Sequence, residues 1–306
     1  METLLSPAFD NLSSKDINRV RKGLRQTEGL LAQLCLPTAP SPSKRRPSAL
    51  PLVGLGAPIL KSLEDLTSDR AYIYFFKLQE SFEWNVTSRL LPALEHLLST
   101  PPTSPVDSLI LSTLTLLQGL LLLHPPSRHL LTPSMPMTSL VDLLDAANPP
   151  PIQSAAITLL IIALLGCPTN TRSFERLDGP RTVCSLFNTK STTKDVKVKA
   201  TEFLHFYLMP EAPERSLNTE DGEEGQRARS KSAPSTAVTP EGEAANLMGV
   251  FSRSLDHDGM REAKQWDLRM VRSVKKKQEL LGRYLGNVDI LMKDMKSKPG
   301  IVAEVC

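Results

Sequence analysis

The 306-residue sequence predicts an all-α chain built of stacked helical repeats, and three observations carry that expectation. Apolar residues make up 41% of it and aromatics only 5%, so any core must be aliphatic. Twenty-five prolines stand against fifteen glycines, a poor supply for the glycine-dependent phosphate turns and strand-to-helix loops of α/β enzymes. No segment sustains period-two alternation with β-branched enrichment, whereas Leu-rich segments recur at helical spacing.

Taken in chain order, the first region, 1–36, holds a helix over 15–36 with Ile17, Val20, Leu24, Leu31 and Leu34 on one side and Ser14 as a candidate cap. Residues 37–58 carry six prolines and Lys44-Arg45-Arg46, a Pro/Ser-rich linker in which no core can form. Residues 59–210 are the dense, Leu-rich helical domain. Its most apolar stretch, 109–123, holds ten apolar residues in fifteen. That is too short for a membrane span, and it carries Ser112, Thr113, Thr115 and Gln118, which fits a buried helix better. Residues 211–246 are an acidic Ser/Thr/Pro insertion with eight acids against four bases, disordered by composition. Residues 247–298 return to helical spacing with twelve bases against seven acids, a basic amphipathic segment expected to pack on the core, and 299–306 form a tail. The net charge of +3 therefore averages an acidic segment and a basic one, and is too small to announce nucleic acid as a partner.

Inside 59–210 the chain repeats itself. Leu97, Leu140 and Val183 lie 43 residues apart, each leading a short apolar cluster, and Leu114, Ile157 and Ala200 lie 43 apart inside longer apolar helices. Ser104, Asn148 and Ser191 recur at 44 and 43 residues as N-cap types, with Pro105 and Pro149 behind the first two. Each unit reads as long helix, Pro-bearing turn, short helix, medium helix, loop. A period in the low forties with two or three helices per unit is the armadillo/HEAT pattern, whose units bury their apolar stripes only by stacking. Thr169 to Phe187, with Asn170, Arg172, Phe174 and Gly179, follows the armadillo register most closely. An irregular helical bundle is the alternative, and it too is all-α.

No catalytic template fits, so no catalytic, metal or cofactor residues are expected. The chain has no Walker loop, no Gly-x-Ser-x-Gly elbow and no His-Glu-x-x-His helix. The residues six beyond Cys35, Cys167 and Cys184 are Ser41, Ser173 and Lys190, so the Cys-x5-Arg loop of cysteine phosphatases is absent. Asp256-His257-Asp258-Gly259 breaks EF-hand register. His124 and His129, around a Pro-Pro turn, read as surface or helix-end groups. Four scattered cysteines and the lack of a secretory signal point to a cytoplasmic chain without a transmembrane segment, with the nucleus as the alternative compartment.

Surfaces are more informative than motifs. On the helix Val196–Met209, Ala200, Phe203, Leu204 and Tyr207 form the core stripe and leave Glu202, His205 and Phe206 off it, with Phe206 either a contact in the groove or packed under the C-terminal segment. Nuclear-import armadillo proteins use a Trp/Asn ladder on that face, but the only tryptophans, Trp84 and Trp266, fall outside the repeats. Leu281, Leu285, Val288, Met292 and Met295 make a seam for docking or pairing. The run Lys275-Lys276-Lys277 is expected to be a solvated face, with a nucleic-acid or membrane-surface adaptor as the alternative role. In the linkers, Ser41, Ser48, Ser232 and Thr239 are phosphorylation candidates, and Arg229-Ser230-Lys231-Ser232-Ala233-Pro234 fits a phosphoserine-binding adaptor.

Three blocks bear a family resemblance. Phe75-Phe76-Lys77-Leu78-Gln79-Glu80-Ser81-Phe82-Glu83-Trp84-Asn85-Val86, the run Lys194 to Pro210, and Lys277-Gln278-Glu279-Leu280-Leu281-Gly282-Arg283-Tyr284-Leu285-Gly286-Asn287-Val288 resemble, in order, the N-terminal, central and C-terminal blocks of the fungal cell division control protein 14 family. That family belongs to the septation initiation network and is distinct from the phosphatase sharing its label. The resemblance implies a non-catalytic partner of a Ste20-like (germinal-centre) protein kinase, acting at the spindle pole body in cytokinesis and septum formation. Phe82, Trp84, Glu202, His205, Phe206, Tyr284, Leu285 and Val288 are the partner-binding candidates within those blocks.

Overall fold

The computed structural model describes residues 1–36, 61, 63–211, 270–286, 288 and 293, and among these every regular element is a helix. The linker 37–58, nearly all of 211–246, most of 247–298 and the tail 299–306 lie outside the described residues. Ser41, Ser48, Ser232 and Thr239 lie outside them as well.

The chain opens with a hairpin of α1 (Glu2–Leu12) and α2 (Ile17–Cys35). The sequence pattern showed α2 but not α1, whose apolar stripe is short and interrupted by Pro7. The two helices cross closely because position 23 is glycine, where a Cβ would meet Leu12 at 2.9 Å. Asp16 caps α2, accepting the Asn18 N–H at 2.9 Å, while Ser14, the expected cap, accepts the Asp16 N–H instead. Lys61 ties the end of this hairpin to the next helices, donating to the Leu34 carbonyl at 3.1 Å and pairing with Asp69. Asp69 in turn caps α4 (Arg70–Glu80), which follows the short α3 (Leu63–Ser68).

Beyond α5 (Val86–Leu98) the expected long–short–medium rhythm is present: α6 (Ser104–Leu123), the 3-10 turn η1 (Pro125–Leu131) and α7 (Ser134–Asp142), then α8 (Pro150–Leu164), α9 (Pro168–Arg176) and α10 (Gly179–Asn188), then α11 (Lys194–Leu208). The anticipated caps Ser104, Asn148 and Ser191 do not cap the long helices: the N-cap positions are Thr103, Pro149 and Thr193, and none of them makes a side-chain capping bond. The long helices pack side by side, α2 on α6, α6 on α8 and α8 on α11, with one continuous aliphatic core from Leu5 to Val288. Helix α6 outruns the fifteen-residue apolar stretch and, at 20 residues, is among the described residues the one helix long and apolar enough to cross a membrane. Half of its most apolar window is buried, and α2, α5 and α8 pack on it, so it is a core helix here.

Buried polar bonds repeat with the helices. Asn85 Nδ2 donates to Ser127 Oγ at 2.9 Å, and Asn170 Nδ2 donates to the Arg128 and Ala163 carbonyls at 2.8 Å. Arg128 Nη1 reaches the Leu165 carbonyl at 2.7 Å, and Ser173 Oγ the Thr132 carbonyl at 2.7 Å. These side chains satisfy carbonyls and hydroxyls that would otherwise be stranded where η1 meets the α4–α5 and α8–α9 turns, so they fix how those turns pack as well as adding stability. At the α9–α10 corner a Cβ on residue 179 would lie 2.1 Å from the Phe174 ring, so only glycine lets that ring close over the turn.

The chain returns at 270–288. Helix α12 (Val274–Gly282), capped by Ser273, packs on α10 and α11 and ends at Gly282. The turn Arg283–Gly286 follows, so the helix stops one turn before the expected break at Gly286-Asn287.

Candidate functional site

The α4–α5 corner is built from Gln79 and Asn85. Gln79 accepts the Val86 N–H at 2.8 Å and donates to the Trp84 carbonyl at 3.2 Å, while Asn85 donates to the Gln79 carbonyl at 2.5 Å and caps α5 through Ser88 N at 3.0 Å. That tight turn expels Phe82, which is 77% exposed, the most exposed large apolar residue described. Trp84 turns inward instead, half-buried and stacked on Phe9 of α1 at 6.1 Å. The Arg89 guanidinium lies over both rings, 5.4 Å from Phe9 and 6.0 Å from Phe82. Leu4 on α1 and Ile73 and Tyr74 on α4 are also exposed, and the Tyr74 hydroxyl donates to Glu2 at 3.0 Å, joining α4 to α1.

On α11 the core stripe is as expected, and Glu202 is exposed in an i,i+3 ion pair with Lys199 at 2.7 Å. His205 and Phe206 are half-buried, and His205 Nε2 has no hydrogen-bond partner. Phe206 borders a cavity of about 150 Å³ with Leu165, Cys167, Met209 and Lys277 among its other walls.

The C-terminal segment closes that end through a buried ionic cluster. Lys277, at 2% exposure, donates to the Met209 carbonyl at 2.5 Å, lies 3.6 Å from Glu211 and sits 5.3 Å from the Tyr207 ring centre. Arg272 pairs with Glu175 at 2.5 Å and its N–H donates to Glu211 at 2.9 Å. Arg172 pairs with both Glu211 and Glu175, and Tyr207 donates to Glu175 at 2.6 Å. Burial lowers the Lys277 pKa from its ordinary value, with Glu211 opposing that shift. Burial and the Glu175 bond push the Tyr207 hydroxyl well above its usual range, so it stays a donor.

The lysine run is therefore not a uniform solvated face: Lys275 and Lys276 are exposed, while Lys277 is buried beside the Glu211 carboxylate and the Met209 carbonyl. His124 is also corrected. It is the helix-end residue of α6, but at 2% exposure it is interior, its Nδ1 2.8 Å from Ser127 Oγ and its ring edge-on to Phe76 at 4.5 Å. Leu285 and Val288 are buried against the core and present nothing to a partner, whereas Tyr284 is half-buried. The arrangement thus brings Phe82 and Trp84 to the turn between α4 and α5, places Phe206 beside Lys277 of α12, and leaves Glu202 apart from them, near Pro150 and Ser154 at the start of α8. Sequence reasoning missed Arg89, Tyr74, Glu175 and Glu211, whose roles depend on contacts far along the chain. Among the described residues no group of three His, Cys, Asp or Glu side chains converges to hold a metal.

Residues 1–299 match the family model described as cell division control protein 14, SIN component. A curated relative, cell division control protein 14 of Schizosaccharomyces pombe, is 27% identical over 219 residues, which cover 69% of this chain and 80% of that protein. No solved structure matches.

Proposed function

Because the chain belongs to the cell division control protein 14 family of septation initiation network components, we propose that it is a non-catalytic scaffold subunit that binds a Ste20-like (germinal-centre) protein kinase and so promotes cytokinesis and septum formation. The observation that carries this reading is the α4–α5 corner. Phe82 is there the most exposed large apolar side chain among the described residues and lies beside the Arg89 guanidinium, and Leu4, Ile73 and Tyr74 on α1 and α4 are exposed as well, whereas most large apolar side chains among the described residues are buried. Aromatic anchors beside an arginine are the residue types that dominate binding energy at protein interfaces. The side-by-side packing of α6, α8 and α11 at a 43-residue spacing supports an armadillo/HEAT-like stack as the platform. Glu202, His205 and Phe206 offer a second contact region on its last long helix. The scaffold is a cytoplasmic protein brought to the spindle pole body with its kinase. An adaptor role for the lysine run has less support, since Lys277 is committed to Glu211 and Met209.

Affinity purification of the full chain from dividing cells, with the co-purifying kinase identified by mass spectrometry, tests the reading. A Ste20-like kinase recovered with the wild-type chain and depleted about tenfold with Phe82→Ala is the expected result. Recovery of no such kinase, or equal recovery with the variant, contradicts it.

A further inference from the structure

The Cys167 thiol stands apart from the other described cysteines. It occupies the position just before α9, its Sγ 3.6 Å from His129 Nδ1 and 3.3 Å from Thr169 Oγ1. His129 is itself exposed on η1, so it can exchange protons with water while touching a sulfur that is 2% exposed. Cys167 is among the residues lining the 150 Å³ cavity beside Phe206, a space large enough for a molecule of a few heavy atoms. The charged groups around it are Arg128 on η1, which interacts with the sulfur electrostatically, and Lys277 and Glu211 on the far wall. A thiol reached by a histidine, a guanidinium and the positive end of a helix is in the electropositive setting that favours thiolate.

We propose that Cys167 and His129 form a reactive dyad, a site of oxidation by small hydroperoxides that enter the cavity. His129 takes the thiol proton, and the thiolate sulfur attacks one oxygen of the hydroperoxide. The O–O bond breaks as the S–O bond forms, transferring a hydroxyl to sulfur. The departing hydroxide or alkoxide takes the proton back from the His129 imidazolium and leaves as water or alcohol. Sulfur loses two electrons to become a sulfenic acid, and the hydroperoxide gains them.

Burial alone pushes the Cys167 thiol up, but bonds from His129 and Thr169, the His129 charge and the Asn170 backbone N–H together bring it below the ordinary cysteine value. Burial raises Cys35, despite Lys61, and pushes Cys184 up to about 12. Those two thiols are internal references in the same molecule.

The test treats the folded full chain with hydrogen peroxide, quenches it, and follows each cysteine-containing peptide by mass spectrometry. Cys167 is expected to oxidise at least about tenfold faster than Cys184 and Cys35, with the half-maximal rate at a lower pH than for the same cysteine in the urea-denatured chain. His129→Gln is expected to slow Cys167 into the range of the reference thiols. Equal rates for the three thiols in the folded chain, or a Cys167 pH profile identical to that of the denatured chain, overturns the proposal whether or not the variant folds. An unchanged Cys167 rate in folded His129→Gln overturns it as well.

Discussion

His124 shows what burial does to a single side chain. Its ring is enclosed by Phe76 and Ser127, and desolvation lowers its pKa from 6.5 to about 4. A histidine whose folded pKa is depressed adds no instability above about pH 6.5, because both states are then neutral there. As pH falls below that value the unfolded chain takes up the proton and the folded one does not, so stability falls until about pH 4, by at most about 3 kcal/mol. Denaturant titrations between pH 7 and pH 4.5 should show this loss in the wild type and a smaller one in His124→Gln. A wild-type-to-variant difference that does not change with pH contradicts the account. The sequence placed His124 correctly at a helix end, since proline follows it. It could not show burial, because the covering ring comes from Phe76, distant in the chain. Lys277 follows the same logic: a Lys-Lys-Lys run reads as solvent-facing until Glu211 and Tyr207 are seen to converge on its third member.

Local periodicity was the reliable guide to elements, and interruptions were where it failed. The long helices α6, α8 and α11 announce themselves through apolar spacing, joined in α6 and α8 by prolines at their starts. Helix α1 does not, because Pro7 falls inside an eleven-residue helix that tertiary packing on α2 and α5 sustains. Helix α12 is short and polar, so contacts rather than propensity hold it. Glu211 supplies the countercharge for Arg172 and Lys277 and also accepts the Arg272 N–H. Glu211→Gln leaves buried cations without that charge, a change that costs about 3–5 kcal/mol when a buried pair is broken. Hydrogen exchange should therefore speed up in 274–282 while α6 and α8 keep their protection. Unchanged exchange in α12, or equal acceleration throughout the core, would mean the ionic cluster is not what holds the segment.

For the molecule as a whole, the all-α class was legible because a Leu-rich, Gly-poor composition and a 43-residue period both argue against a parallel sheet. Candidate surfaces were legible only in part. Phe82 and Trp84 stand two residues apart in one block, yet the Gln79–Asn85 turn sends one outward and folds the other onto α1. Leu285 and Val288 read as a docking seam and are one, but for this chain's own core. The central claim is that the exposed α4–α5 corner binds a Ste20-like kinase. Titrating the purified kinase into the purified full chain by calorimetry tests it most directly. Phe82→Ala with Tyr74→Ala should weaken binding at least about tenfold, while Met135→Ala, an exposed apolar change on α7, and Lys275→Glu with Lys276→Glu should leave it unchanged. No measurable binding by the wild-type chain, or equal affinity for the corner variant and the Met135 control, would contradict it.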